Sequence, residues 1–135
     1  MTMLTRIAQL TIRVTGPAQV VLGVLFWFGF ARGPLPVHKL VGLLFTLALL
    51  TLTALAARAG LHAGLVALSA ALVLLIPVLG IVQGRILPGE WHWTVRAAHL
   101  AIGFVAMAVA ARLGRFIRSR ASVGGELRTA PATTG

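Results

Sequence analysis

Apolar residues run along this chain in four stretches, each about the length of a bilayer crossing and each closed by Gly, Pro or Arg. The first covers residues 14–30, starting as early as Ala8. The others cover 37–57, 63–83 and 93–111. A helix rises 1.5 Å per residue, so about 20 apolar residues cross a hydrocarbon core of about 30 Å. The breaks are residues 31–36, the turn at 58–62, and 84–92 with Pro88 and Gly89. Connections this short force neighbouring helices to run antiparallel. The pattern therefore predicts an all-α fold, an integral membrane antiparallel up-down four-helix bundle over residues 1–118. Its second and fourth helices are expected to face each other diagonally across the core. Past Arg118 the apolar character is lost, and residues 119–135, rich in Gly, Thr and Ala from Ser122 onward, are expected to form a disordered cytoplasmic tail. Arg6 and Arg13 precede a long first run with no convincing cleavage site, so that run is expected to stay as a span rather than leave as a signal peptide.

Composition agrees with lipid as the solvent. Hydrophobic residues are 59% of the 135 and charged residues 10%, against about 25% charged in a soluble domain. A net charge of +10 in a soluble protein would suggest nucleic acid. Here the arginines lie between and after apolar runs, as anchors facing anionic headgroups, and no nucleic-acid partner is expected. The absence of cysteine excludes disulfides, thiolate catalysis, cysteine-bound zinc and iron–sulfur clusters.

The cations are unevenly divided. Arg6, Arg13, Arg58, Arg112, Arg115, Arg118, Arg120 and Arg128 fall at one end of the predicted bundle; Arg32, Lys39, Arg85 and Arg96 fall at the other. Eight against four predicts both termini inside a bacterial cytoplasmic (inner) membrane. Trp27, Phe28, Phe30, Trp91 and Trp93 collect at the predicted outer boundary, where an aromatic belt belongs.

Ionisable groups within a membrane bundle mark candidate sites. His38 opens the second span and His99 lies near the start of the fourth. Each is followed four residues later by glycine, Gly42 and Gly103. Positions i and i+4 share a helix face, so each imidazole should stand one turn above a gap with no side chain, room for a flat macrocycle. Two imidazoles from facing helices are the usual axial pair of a b-type haem. His38 and His99 are thus candidate iron ligands. Arg85, Arg96 and Gln83 are candidate partners for the propionates, and His92 a candidate outer contact. Measured from Arg58 and Arg115, the two histidines differ in depth by about one helical turn. His62 sits at the opposite end and reads as an interfacial residue. Gly23 and Gly80 read as close-packing positions, and Pro77 as a kink in the third helix. A weak repeat supports the pairing: Leu22-Gly23-Val24 precedes His38 and Gly42 as Leu79-Gly80-Ile81 precedes His99 and Gly103.

On the helix count and on His38 in Pro36-Val37-His38-Lys39-Leu40 and His99 in Arg96-Ala97-Ala98-His99-Leu100, the chain resembles one half of the haem A synthase family over roughly residues 20–115. It also resembles small bacterial membrane proteins that carry a segment like Leu87-Pro88-Gly89-Glu90-Trp91-His92-Trp93. The first resemblance implies a bis-histidine haem near the outer face and a homodimer that would restore an eight-helix assembly. It departs from that family in lacking a carboxylate in the loop before His38; the only acids are Glu90 and Glu126.

The leading expectation is a haem b-binding, cytochrome-like membrane protein with one haem per chain, acting in electron transfer or haem handling. Its partners would be the lipid bilayer, a quinone or redox protein, and a second copy or a larger membrane complex. The alternatives are an enzyme of the haem A synthase type using Glu90, or a non-catalytic accessory subunit of a respiratory or photosynthetic complex. A transporter fits least, because no charge sits securely at the bilayer midplane.

Overall fold

The computed structural model describes residues 3–30 and 35–129, with side chains through Ser122. Four helices follow one another: α1 Met3–Trp27, α2 Leu35–Arg58, α3 Ala63–Val82 and α4 His92–Thr129, with a short 3-10 turn at Gln83–Arg85 after α3. All four are long and apolar enough to cross a membrane. The predicted helical membrane bundle is the observed architecture, consistent with a multi-pass membrane protein. Arg32 lies outside the described residues.

Two helices are longer than their apolar runs. Helix α1 begins at Met3 and passes through Arg6, Arg13 and Pro17. Helix α4 continues to Thr129, through the first part of the 119–135 segment that the sequence predicts as a disordered tail; residues 130–135 lie outside the described residues. Loss of apolarity ends a membrane span, but it does not end a helix. Glu126, Leu127 and Arg128, near the end of this stretch, are good helix formers in water.

Helix ends are set by local chemistry. Gly29 at φ +90° and Gly60 at φ +80° occupy the left-handed region that costs other residues a Cβ clash. Each closes its helix with the same paired bonds. Gly29 N–H donates to the Phe26 carbonyl and Phe30 N–H to that of Leu25; Gly60 N–H donates to Ala57 and Leu61 N–H to Ala56. His62 caps α3, its ring accepting from the Gly64 amide at 3.1 Å. That structural task accounts for the interfacial histidine.

In cross-section, α2 and α4 touch directly, α1 and α3 each touch both of them, and α1 does not reach α3. The diagonal pairing of the second and fourth helices is therefore the short diagonal of a rhombus. The packed core lies toward the end that carries Arg58 and the α2–α3 turn, where Leu49, Leu52, Ala56, Ala106, Ala110 and Leu113 are sealed. Alanines at these contacts let backbones approach, which drives helix association where lipid is as apolar as leucine. Thr53 and Ser69 join α2 to α3 there through a buried hydroxyl–hydroxyl bond of 2.5 Å. Toward the opposite end, which carries Trp27, Trp91 and Trp93, the buried positions thin out and the helices part around a cavity.

Candidate functional site

The cavity has a volume of about 720 Å³ and is lined by all four helices. That size falls within the range of about 300–1,000 Å³ usual for small-molecule and cofactor sites. Its walls are mainly apolar, with Phe26, Val24 and Ile81 toward the mouth and Gly16, Phe45 and Met107 at the floor.

His38 and His99 meet across it. Their ring centres are 6.5 Å apart with the planes inclined by 55°. The edge of Phe26 packs on the His38 ring at 5.0 Å between centres. The mismatch in depth inferred from the sequence is absent, because Arg115 is the wrong reference. Helix α4 runs past it, and Arg118 follows His99 by 19 residues, as Arg58 follows His38 by 20. Nδ1 of both rings is buried without a hydrogen-bond partner among the described residues, and so is Gln19 Oε1. Buried polar atoms are nearly always paired. Three unpaired ones on a single cavity mark the place where this fold leaves polar capacity unused.

The two glycines one turn below the histidines are not equivalent. The space beside Gly42 is taken by the Gln19 side chain, whose amide nitrogen donates to the His38 carbonyl at 3.1 Å. Gly42 is absent from the cavity wall. A helical carbonyl at position i lies beside residue i+4, so a glycine there uncovers it for a second donor. Gly103 lines the cavity, and a Cβ placed on it would meet nothing within 4 Å. The internal repeat explains the difference. Gln19 lies four residues before Gly23, and the matching position four before Gly80 is Ile76, which has no amide to offer.

Of the other residues singled out in the sequence, Gln83, His92 and Arg96 line the cavity and Arg85 does not. His92 also has a local role: its Nδ1 lies 3.3 Å from the Ile86 carbonyl and ties the loop between α3 and α4. Gly23 and Gly80, expected as packing positions, are wall residues. Nothing lies within 4 Å of a Cβ on Gly23, and a Cβ on Gly80 would sit 3.7 Å from His99 Cε1. Sequence reasoning missed Gln19 and Lys39. Lys39 lines the mouth beside His38 and, with Arg96, gives it two cations. The adjacency of Lys39 to His38 was the available signal. Nothing in the spacing of Gln19 pointed across to another helix.

A mainly apolar chamber with facing imidazoles and cations at its mouth suits a flat, largely apolar ligand with acidic groups on one edge. Comparison of the chain with protein families, with curated proteins and with solved structures finds no match.

Proposed function

We propose that this chain is a haem b-binding, cytochrome-like membrane protein in which His38 and His99 would together hold the iron of one haem. The observation that carries this reading is the distance between the two rings. A metal–imidazole bond is about 2 Å and a ring centre lies about 1.1 Å behind its nitrogen, so two imidazoles opposed across one metal ion have centres about 6 Å apart. The observed 6.5 Å is of that size. The open space at Gly103 and the apolar walls favour a macrocycle over a bare ion. Arg96 and Lys39 would pair with the propionates, and Gln83 would donate a hydrogen bond. Bound haem would supply one-electron redox chemistry, with a quinol or a redox protein as the electron partner. The chain's own residues would hold the iron in six-coordination and keep water from it. Glu90 is exposed and stands outside the cavity wall, which favours electron transfer or haem handling over chemistry of the haem A synthase type.

The test is a titration of the purified full chain with haem b, followed by absorption spectra of the oxidised and reduced forms. A saturable one-to-one complex with a six-coordinate low-spin spectrum is expected. Failure to bind, or a high-spin five-coordinate spectrum, would remove this reading and leave the accessory-subunit alternative.

The site is proposed to face the outside of a bacterial inner membrane, with both termini inside, on the division of Lys and Arg between the two ends. Reporter fusions after Gly135 and within the 58–62 turn should both report cytoplasm. A periplasmic signal from either would reverse the orientation and turn the cavity inward.

A further inference from the structure

A second crevice, of about 360 Å³, lies between α1 and α4 toward the opposite end of the bundle. Its rim carries Gln9, Arg13, Arg115 and Arg118, and its floor is apolar, with Ile12, Pro17, Leu52 and Ala110. No carboxylate lines it. The rim is built rather than incidental. Gln9 donates to the Gly114 carbonyl at 3.0 Å and accepts from Arg118 Nη1 at 2.8 Å, which holds that guanidinium over the crevice. Gly114 permits this, since a Cβ there would fall on the Gln9 amide.

Depth makes the charge costly. Arg13 stands 14 residues from Trp27 along α1, about 21 Å at 1.5 Å per residue. With Trp27 at one interface and a hydrocarbon core of about 30 Å, its Cα falls about 9 Å short of the other edge. Arg115 lies nearly one turn deeper than Arg118. Arginines this close to the edge of the core snorkel to the headgroup level, where the described wall of the crevice offers them no carboxylate and lipid phosphate is the anion at hand.

We infer that this crevice binds the phosphodiester headgroup of an anionic phospholipid, with Arg13, Arg115 and Arg118 on the phosphate and one acyl chain along the apolar floor. Its amphipathic section matches a lipid: charge at the rim, hydrocarbon beneath. Basic pockets between membrane helices recognise anionic headgroups on the same terms. Free phosphate offers the same oxygens without the chain, so the two sources are separable.

The full chain in detergent would be examined by native mass spectrometry with dioleoyl phosphatidylglycerol, with dioleoyl phosphatidylcholine, and with inorganic phosphate. Phosphatidylglycerol should remain bound under conditions that strip the detergent, and phosphatidylcholine should not. Arg13→Gln with Arg115→Gln should lower its retention at least tenfold, while Arg112→Gln, outside the crevice, should keep it. Helical circular dichroism checks that the double variant is folded; if it is not, Arg13→Gln alone should lower retention several-fold. Equal retention of both lipids, binding of phosphate without lipid, or unchanged retention in the variants would overturn the assignment.

Discussion

Alanine at either His38 or His99 is expected to abolish the six-coordinate low-spin spectrum of the haem-loaded protein. The two side chains come from different helices and meet at one point, 6.5 Å apart, so neither can stand in for the other. Loss of an outer contact to a metal site typically costs about 10–100-fold in affinity, and loss of a ligand should exceed that. His62→Ala should leave the spectrum unchanged, because His62 caps α3 at the far end of the bundle. His92→Ala should alter haem affinity or potential only modestly, since its Nδ1 is turned toward the Ile86 carbonyl. Absorption and electron paramagnetic resonance of the four variants read all of these together. Normal haem binding by His38→Ala would end the bis-histidine proposal.

Leucine substitutions at the two glycines should separate haem binding from folding. Gly103→Leu places a branched side chain in open space and raises helix propensity. The haem-free bundle should keep its thermal stability while haem occupancy falls at least tenfold. Gly42→Leu should behave in the opposite way. It expels the Gln19 side chain, breaks the bond to the His38 carbonyl and overfills the α1–α2 contact, at a cost of about 1–3 kcal/mol. Melting of the empty protein should therefore fall in Gly42→Leu and hold in Gly103→Leu. Equal behaviour of the two would mean that Gln19 does not distinguish the halves of the bundle.

The spans were legible because a bilayer demands a fixed length of apolar residues, and α2 and α3 match their apolar runs within two residues. The extra turns of α1 and α4 were not legible from hydropathy, since a helix outside the hydrocarbon core needs no apolar side chains. Mistaking Arg115 for the membrane edge on α4 produced the apparent depth mismatch, which Arg118 removes. The pairing of His38 with His99 was readable from matched position in two antiparallel hairpins. The fate of Gly42 was not. A glycine marks a place where something approaches the backbone, but the sequence does not say whether that is a ligand or the side chain of Gln19 from another helix. Gln19 and Lys39 show the same limit. Which polar side chain reaches into a cavity depends on helix rotation, and three short connections leave that rotation to packing.

The unequal packing of the bundle has an electrical consequence. Leu49, Leu52, Ala106 and Leu113 seal the centre of the bundle, between the cavity ringed by His38, Lys39, Arg96 and His99 and the crevice at Arg13 and Arg115. A sealed apolar centre resists the passage of charge, so the proposed haem site would exchange charge with the face it lies nearest. Carrying one elementary charge across the whole membrane field is worth about 2.3 kcal/mol per 100 mV. Groups near one face sense only a fraction of that drop. Polarising the membrane should therefore change haem binding at the proposed site little.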